Sequence, residues 1–439
     1  MKIAIIGTGI AGMGCGHFLK DNAEIFFYEK NDYPGGHTNT ITVDEDACLP
    51  DRQGQKVHID TGFMVFNHVT YPNLLKLFNE LKVPTFKTDM SFSVQHVPDK
   101  LEYCGSGLNG LFAQRKNIFS LRHIRMLKQI GRFNEESIRI LDKPEYADYT
   151  LERYIKENKF SDDMLWRYLI PMSAAVWSTP MDKMLEFPVQ TLIRFFYNHG
   201  FLGLNTQHQW YTVTGGSRTY RDIIMAQFKD KIFLNDPVVK VVRKGNKAVL
   251  YTRSGKEAEY DKIIIASHGD EALALLDAPT PDEKRLLSKF HYQKNIATLH
   301  TDEAIMPKNK RVWSSWNYRV EEKNGRLEAS CIYWMNSLQK VSEKKNYFVS
   351  INDPGNVNKS KVIKVIDYTH PLFDVEAAKA QGELRSLNKT GPVYFCGSYF
   401  RYGFHEDAFT SAVNLCEHLN KNLTAKDAKN TATLSSQRV

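Results

Sequence analysis

Short apolar runs that lead into glycine-containing turns mark both ends of the chain. The first run, Ile3 to Ile6, enters a glycine-spaced turn, and a helical pattern follows through Phe18. A second strand-like run over 24–28 ends at Glu29. Apolar runs of this length next to a helical repeat are typical of strands that flank a helix. The N-terminus therefore predicts a strand, a turn, a helix and a second strand.

The turn between this strand and helix carries the pattern G-x-G-x-x-G at Gly7, Gly9 and Gly12. The first glycine permits the tight turn, the second lets a pyrophosphate approach the backbone, and the third lets the helix pack closely on the strand. The helix N-terminus adds free N–H groups and a positive dipole end. Glu29 follows at the distance expected for an acceptor of ribose hydroxyls, and its charge disfavours the 2′-phosphate of NADP. We predict a dinucleotide site; the alternative is an ordinary tight turn.

The middle of the chain has a different character from its ends. Residues 85–205 are helix-rich and aromatic, with helices predicted over 121–140 and from Asp163, the latter broken at Pro171. Small residues beside Trp177 indicate either a wall near a ligand or a packed junction between helix and loop.

From about 290 to 380 the pattern becomes β-rich, and we predict one antiparallel sheet there. Aromatic side chains are dense in this part of the chain, and they either line a ligand tunnel or form plain core. They are Trp313, Trp316, Tyr318, Tyr333 and Trp334.

The remaining stretches return to the first pattern. A glycine pair at 215–216 leads into a predicted helix, and 263–266 is a continuous apolar run of the kind found in buried parallel strands. Val393 to Ser398 reads as another strand, followed by a short loop and a helix to about Leu419. The polar residues after 420 predict a flexible tail.

Composition and charge narrow the functional classes. The 439 residues are 42% hydrophobic with a net charge of +8, which suits an anionic membrane surface, an acidic substrate or nucleic acid. No basic block is long enough to favour nucleic acid. The densest basic stretch, 115–132, is either a solvated helix face or a lipid-surface patch.

Cysteine spacing and hydropathy bear on the compartment. The six cysteines show no C-x-x-C and no metal-site spacing, so we predict reduced thiols, a cytoplasmic protein and no metal. No apolar run reaches the roughly 18 residues of a spanning helix, so any membrane contact is expected to be peripheral.

Two motifs resemble the flavin amine-oxidase superfamily, which includes amine oxidases, phytoene desaturases and protoporphyrinogen oxidase. Gly35-Gly36, shortly after Glu29, resembles its second glycine pair, which implies FAD; His37 stands where the family usually has arginine. Gly397-Ser398 and the helix after it resemble the closing element of the superfamily, with serine in place of the usual acid.

Three stretches are similar to a narrower group, the oxidoreductases that resemble the N-terminal half of plant cyclopropane fatty-acid synthases. They are GGHTNT at 35–40, DTGFMVFN with YPNLLKLF within 60–78, and YFRYGFHEDAFTSA at 399–412. The resemblance extends to about residue 420. It implies a lipid substrate and, as a partner, a cyclopropane-synthase-like methyltransferase.

The resemblance also implies a fold and a set of cofactor-binding residues. The fold class is α/β, α+β overall, with a Rossmann-like FAD-binding domain and an interrupting substrate domain of mixed sheet and helices. The predicted divisions are 1–84, 206–290 and 385–420 for the FAD-binding domain, 85–205 and 291–384 for the substrate domain, and 421–439 for the flexible tail. The implied FAD-binding residues are Gly7, Gly9, Ile10, Ala11, Gly12, Glu29, Lys30, Gly35, Gly36, His37, Thr38, Thr61, Gly62, Phe63, Val238, Gly397, Ser398, Phe404, His405 and Ala408.

Candidate catalytic residues lie at the start of the last helix. His405 and Glu406 are the predicted catalytic residues, and His37 is a further candidate for proton handling; alternatively, His405 is a loop histidine and Glu406 caps the helix. The leading hypothesis is an FAD-dependent oxidoreductase that dehydrogenates, desaturates or isomerises a fatty-acyl chain by hydride transfer to flavin N5. The alternatives are an amine oxidase and a non-catalytic FAD-binding partner of a lipid methyltransferase.

Overall fold

The structure is a computed structural model that describes residues 1–45, 55–203 and 206–436, with side chains up to 421. Cys48 and the last three residues of the predicted tail lie outside this range. The strands of the described residues are β1 (Lys2–Ile6), β2 (Glu24–Tyr28), β3 (Thr40–Asp44), β4 (Lys56–Asp60), β5 (Phe66–Asn67), β6 (Thr85–Thr88), β7 (Phe92–His96), β8 (Leu101–Cys104), β9 (Trp210–Val213), β10 (Ile232–Phe233), β11 (Val238–Lys244), β12 (Lys247–Thr252), β13 (Glu257–Tyr260), β14 (Lys262–Ile265), β15 (His291–His300), β16 (Trp316–Lys323), β17 (Arg326–Trp334), β18 (Phe348–Ile351), β19 (Val362–Leu372) and β20 (Val393–Phe395).

Helices connect and cover these strands. They are α1 (Ile10–Leu19), α2 (Pro72–Glu80), α3 (Gly107–Leu111), α4 (Leu121–Glu136), α5 (Leu151–Glu157), α6 (Asp162–Met164), α7 (Ile170–Trp177), α8 (Val189–Asn198), α9 (Arg218–Met225), α10 (Gly269–Leu275), α11 (Pro281–Leu287), α12 (Met335–Gln339), α13 (Val375–Gln381) and α14 (His405–Ser436). No helix within the described residues combines the length and hydropathy needed to cross a bilayer.

The first sheet is fully parallel and has the strand order β10-β2-β1-β14-β20. Its central strands are buried, with Ile5 and Ile264 paired in register and inaccessible to solvent. Burial on both faces explains why these strands read as continuous apolar runs in the sequence. The predicted βαβ unit and the α/β fold class are confirmed.

The second sheet has seven strands in the order β19-β15-β18-β17-β16-β7-β8. Its strands come from both stretches predicted as the substrate domain. The strands between 291 and 372 pair antiparallel with one another, so the prediction of one antiparallel sheet over about 290–380 is confirmed. β7, which comes from outside that stretch, joins the sheet parallel to β16. β7 and β8 come long before the other five strands in the chain. The direction of β7 relative to β16 is therefore set by tertiary packing and not by a connecting hairpin.

Smaller sheets join the two large ones. They have the orders β11-β12-β13, β3-β4 and β5-β9-β6. β6 begins at the predicted domain boundary and pairs with β9 from the next FAD-binding stretch. The division into domains stays a prediction, and this pairing shows that the chain segments on either side of residue 84 share a sheet.

The helical segment around Pro171 differs from the sequence-based expectation. The predicted break is absent: a π-helical turn over 165–169 passes directly into α7, with Pro171 as its second residue. Proline lacks the N–H that would donate a helical hydrogen bond, and the wider π turn before it lets the helix continue without that bond. The segment therefore stays helical to Trp177.

The last helix is longer than predicted. α14 continues to Ser436, where the polar composition predicts a flexible tail from 421. Alanine and lysine recur in that stretch, and both are strong helix formers, which explains how helix geometry continues past the packed part of α14.

A buried carboxylate connects the two predicted domains. Asp60, 1% exposed at the end of β4, accepts hydrogen bonds from the backbone N–H (2.9 Å) and the hydroxyl (2.7 Å) of Ser217, immediately before α9. It also accepts from Thr40 Oγ1 (2.5 Å) and from Gln339 Nε2 (2.7 Å) in α12. Burial raises the pKa of Asp60 and these donors lower it, with burial the larger effect. One side chain therefore fixes the relative placement of β4, α9 and α12.

We expect Asp60→Asn to lower the free energy of unfolding by about 2–3 kcal/mol, because an amide nitrogen cannot accept the bond from Gln339 Nε2 and leaves buried donors unpaired. Urea unfolding of the two proteins measures this difference. The control is Asp261→Asn, which changes the exposed acceptor of the Lys2 N–H and should cost less than about 1 kcal/mol. Equal effects of the two substitutions would contradict the connecting role of Asp60.

Candidate active site

A cavity of about 630 Å³ lies between the carboxyl edge of the parallel sheet and the inner face of the seven-stranded sheet. Gly7 and Glu29 line it from the first sheet, and Trp316, Ile351 and Tyr368 line it from the second. Its volume is within the range of small-molecule and cofactor sites. Ligands of open α/β sheets bind at this edge, so the cavity is the candidate site.

The glycine turn forms one end of the cavity. A Cβ added to Gly9 would meet no atom within 4 Å, so the backbone there faces open space at the start of α1. The first N–H groups of α1 have no partner within the helix and are available to an anion. A Cβ at Gly12 would lie 2.0 Å from the Gly7 carbonyl oxygen, so Gly12 serves helix packing and does not line the cavity.

Glu29 is held at the cavity wall by its neighbours. Its carboxylate accepts from the Thr8 backbone N–H (3.1 Å), the Thr8 hydroxyl (2.6 Å) and the Asn31 N–H (3.0 Å). The Thr8 hydroxyl in turn accepts from the Gly35 N–H at 3.0 Å. This arrangement ties the first glycine turn to the second glycine pair. Sequence reasoning missed Thr8, because threonine inside the glycine pattern carries no separate signal.

The structure brings most of the predicted FAD-binding residues together. Gly12, Gly35 and Thr38 lie behind the wall. The others line the cavity: Gly7, Gly9, Ile10, Ala11, Glu29, Lys30, Gly36, His37, Thr61, Gly62, Phe63, Val238, Gly397, Ser398, Phe404, His405 and Ala408. Their individual contacts with the cofactor stay predictions.

Four histidines surround the middle of the cavity: His37, His268, His370 and His405. Burial lowers the pKa of each, to about 4 for His370 and about 3 for His405, and the histidine neighbours of His37 and His370 lower the pKa of those two further. All four are therefore neutral at pH 7. Sequence reasoning missed His370, which sits in an ordinary strand pattern.

His37 is positioned to bond a ligand. Its ring stacks on Tyr368 at 4.7 Å between centroids, and its Nε2 is buried without a hydrogen-bond partner among the described residues. A buried nitrogen of this kind normally has a partner. A neutral imidazole here can hydrogen-bond a cofactor, but unlike the arginine of the resembled family it brings no charge.

His405 and its neighbours form a short hydrogen-bond chain. Its ring stacks on Phe63 at 3.9 Å, and its Nε2 lies 2.7 Å from the Tyr220 hydroxyl. That hydroxyl lies 3.2 Å from Thr38 Oγ1. The chain can hold a proton at the cavity wall, which is consistent with the proton-handling role predicted for His405. Tyr220 was missed because only the tertiary fold brings α9 against α14.

Glu406 is bound to another helix, and the catalytic role expected for it stays a prediction. Its carboxylate accepts from the backbone N–H groups of Asn73 and Leu74, both at 2.9 Å, at the start of α2. The carboxylate thereby caps a helix whose own first N–H groups lack partners. Glu406 does not line the cavity, and the alternative of a capping role fits the structure, with α2 as the capped helix.

The far end of the cavity is aromatic. Trp316 and Tyr333 are a cross-strand pair with stacked rings 5.8 Å apart, and both line the cavity. Trp313 and Trp334 lie elsewhere, packed edge to face in a separate core cluster. Tyr318 is buried and does not line the cavity. Trp316 and Tyr333 therefore fit the interpretation as cavity lining, whereas Trp313, Tyr318 and Trp334 fit the interpretation as core.

The stretch around Trp177 forms another part of this aromatic end. Val176, Trp177 and Ser178 line the cavity, and the Trp177 ring packs on Phe195 at 4.8 Å. Its Nε1–H donates to the Tyr402 carbonyl at 3.0 Å, which ties the end of α7 to the loop before α14. The hypothesis of a wall near the ligand agrees with this placement.

Few charged side chains line the cavity. Among the described lining residues they are Glu29, Lys30, Glu271 and Asp367. The aromatic end is lined by apolar and aromatic side chains, among them Met90, Phe201 and Trp210. No three His, Cys, Asp or Glu side chains of the described residues are grouped to hold a metal ion.

The sequence matches the family described as flavin containing amine oxidoreductase over residues 10–342, more than half of the chain. A stretch of 84 residues is 34% identical to 15-cis-phytoene desaturase of Synechococcus elongatus. This match covers 19% of the chain and only 15% of the length of the desaturase.

Solved structures share the overall fold at low sequence identity. A triple mutant of putrescine oxidase superposes with a TM-score of 0.68 at 12% identity, covering 96% of this chain and 99% of the oxidase. A fatty acid isomerase from P. acnes that produces CLA superposes with a TM-score of 0.65 at 14% identity, covering 95% and 98%. Both are complete-fold matches, and at this identity they define the fold alone.

We expect Gly9→Ala to fold normally and to bind flavin about tenfold more weakly or worse, because its Cβ would occupy the space between backbone and pyrophosphate. Flavin absorbance per protein, with circular dichroism as the test of folding, measures this. Gly131→Ala in α4 is the matched control, since a Cβ there also meets no atom within 4 Å and Gly131 does not line the cavity. Full flavin loading of Gly9→Ala would contradict the assignment of the glycine turn.

Asp407 gives the stability a defined pH dependence. Its buried carboxylate accepts from the Phe404 N–H at 3.0 Å, and burial raises its pKa from 3.8 to about 7. The folded state therefore binds more protons between these values, so the stabilisation is complete below about pH 4 and is lost as the pH rises through 7. Its upper limit is about 4 kcal/mol.

We expect Asp407→Asn, which mimics the protonated acid, to match the wild type near pH 4 and to be more stable than it near pH 8. Urea unfolding at both pH values measures the difference. Asp270→Asn, at an exposed helix start, should change stability by less than about 1 kcal/mol at either pH. A variant that is no more stable than wild type at pH 8 would show that Asp407 is ionised without cost.

Proposed function

Because the chain belongs to the flavin containing amine oxidoreductase family and is thus an FAD-dependent oxidoreductase, we propose that its substrate is a fatty-acyl chain. The proposed reaction is dehydrogenation, desaturation or double-bond isomerisation of that chain. The observation that carries the proposal is the aromatic end of the cavity, where the lining residues are all uncharged: Met90, Val176, Trp177, Phe201, Trp210, Trp316 and Tyr333.

The lining of this end favours an apolar substrate over a protonated amine. An ammonium group that leaves water needs a compensating charge or several acceptors, and burying it without them is costly. A methylene group gains about 0.8 kcal/mol on burial. Met90, Trp316 and Ile351 offer an acyl chain contact area and offer an ammonium group only ring faces.

The names of the relatives are compatible with both an acyl and an amine substrate. The fatty acid isomerase and phytoene desaturase act on long apolar chains by name, whereas putrescine oxidase is named for an amine. The amine oxidase reading is therefore the second candidate. The cavity lining of this chain, and not the names, is the reason for our preference.

The residues divide the work along the cavity. FAD, when bound, supplies the hydride-accepting chemistry. The start of α1 and Gly9 suit its pyrophosphate, and Glu29 suits its ribose. We propose that neutral His405, bonded to Tyr220, holds or moves a proton at its imidazole, while Trp177 and Trp316 orient the chain and exclude water.

Two further expectations stay predictions. One is a cyclopropane-synthase-like methyltransferase as partner, which would use or supply the same lipid. The other is a cytoplasmic location with peripheral contact to a membrane. A non-catalytic role as the FAD-binding partner of that methyltransferase is the outcome expected if no substrate ever reduces the flavin.

We expect fatty-acyl substrates, and not amines, to bleach the flavin in an anaerobic titration of the purified holoenzyme. Absorbance of the oxidised flavin is the measurement, and the lipid recovered from the cuvette identifies the product. Isomerisation would leave the spectrum oxidised at the end while altering the recovered lipid. Bleaching by putrescine or another amine, with an unchanged lipid in the other arm, would overturn the proposal.

We also expect Met90→Glu to weaken the apparent affinity for the acyl substrate about tenfold or more, because a carboxylate at the apolar end must be desolvated. Met90 is partly exposed toward the cavity, so flavin content should not change. Met90→Leu keeps the apolar character and should behave as wild type. Substrate dependence of the rate for the three proteins tests this, and an acyl affinity unaffected by Met90→Glu would argue against an acyl chain at this end.

A further inference from the structure

We propose that one surface of the protein adsorbs onto an anionic lipid bilayer. This α3–α4 surface consists of α3, the 3₁₀ turn over 115–119 and the first half of α4. Its apolar members are Leu108, Ile118, Phe119 and Leu121, and its basic members are Arg115, Lys116, Arg122, Arg125 and Lys128.

The apolar members project into solvent to an unusual degree. Phe119 is 87% exposed, Leu121 83% and Leu108 75%, which are the highest values among the large apolar side chains of the described residues. Single exposed apolar residues are common on protein surfaces, but a cluster of the largest ones marks an interaction site. These three lie on consecutive elements of one chain segment.

The elements that carry the cluster are fixed to one another. Arg115 donates to the Phe112 carbonyl and to the Asn109 side chain, at 3.1 and 3.2 Å, which ties the turn to α3. His123 in α4 lies 3.1 Å from the Leu111 carbonyl oxygen. The Ser120 hydroxyl accepts from the His123 N–H and caps α4. The apolar tips are therefore presented by a braced surface and not by a loose loop.

The unpaired charge around the cluster is basic, although Asp99 and Asp163 adjoin Arg122. Arg122 pairs with Asp163 at 2.6 Å, whereas Lys116, Arg125 and Lys128 have no carboxylate within ion-pair distance among the described residues. Unpaired basic side chains around protruding apolar tips are complementary to anionic headgroups over acyl tails. The chain as a whole is also basic, with a net charge of +8.

A bilayer fits this surface better than a protein partner does. The apolar side chains form a few convex tips, whereas a stable protein interface needs about 800 Å² per partner with a well-packed centre. Lysine is depleted at the centre of protein interfaces, yet exposed Lys116 is only two positions from Ile118 in the same 3₁₀ turn. Tips that insert and cations that stay at the headgroup level require no such packing.

The surface lies close behind the aromatic end of the cavity. The inner face of α4 contributes Leu127 and Ile130 to a small core that also contains Phe92. The Phe92 ring lies 5.8 Å from that of Trp316, which lines the cavity. Adsorption through this surface would bring the aromatic end of the cavity near the lipid source. That advantage rests on the proposed acyl substrate, whereas the proposed adsorption does not depend on it.

The test is sedimentation of the holoenzyme with vesicles, without turnover. Wild type should bind vesicles of equal parts phosphatidylglycerol and phosphatidylcholine, and bind pure phosphatidylcholine about tenfold more weakly or worse. Raising the salt from about 0.1 M to about 1 M should weaken binding, because the Debye length falls from about 10 to about 3 Å. Phe119→Ser/Leu121→Ser should lose about tenfold or more of the affinity, since two exposed apolar side chains no longer insert.

The matched control removes two exposed apolar side chains elsewhere. Val69→Ser/Val365→Ser changes residues that are 60% and 53% exposed outside the α3–α4 surface, and it should bind vesicles as wild type does. Equal loss in both double variants, or binding unaffected by Phe119→Ser/Leu121→Ser, would overturn the proposal. So would a wild type that ignores anionic vesicles, or one that self-associates through this surface, seen as a dimer that only Phe119→Ser/Leu121→Ser dissociates. Vesicle binding is measured independently of flavin bleaching. Failure of the proposed adsorption can therefore be distinguished from failure of the proposed acyl substrate.

Discussion

The Asp60 carboxylate is the constraint on which the arrangement of the site depends. Its oxygens accept bonds from Thr40, Ser217 and Gln339, which come from three distant parts of the chain. The residues that follow it, Thr61 and Gly62, line the cavity. A buried carboxylate is stable only with such a full set of donors. The same bonds that satisfy Asp60 therefore hold the seven-stranded sheet over the glycine turn and give the cavity its two walls.

The part of the site that could be predicted from sequence is the part made by local backbone geometry. Gly9 and Glu29 serve a strand–turn–helix–strand unit whose spacing is set by the unit itself. Glu406 shows the limit of this reasoning, since nothing local indicates that the start of α2 lies against it. Tyr220 and His370 were missed for the same reason: the signal that would have identified them is a tertiary contact.

The fold shows a similar division. Parallel strands that are buried on both faces can be recognised in the sequence as apolar runs, and β1 and β14 are examples. The parallel pairing of β7 with β16 and the continuous helix at Pro171 depend on packing partners and on a π turn, which leave no periodic trace in the sequence. The aromatic residues of β16 and β17 illustrate both cases. Their alternation between the two faces of the sheet can be predicted from the sequence, but which face borders a cavity cannot.

Few charged side chains line the cavity, and this limits how FAD can be held. Among the described lining residues Lys30 is the one lysine or arginine, and its Nζ is 2.5 Å from Glu271. The four histidines are kept neutral by burial, including His37 in the position of the family arginine. When FAD is bound, the N–H groups and the dipole at the start of α1 would balance its phosphate charges in place of side-chain cations. Such a site depends on backbone geometry, which explains why the glycine turn is its best-defined feature.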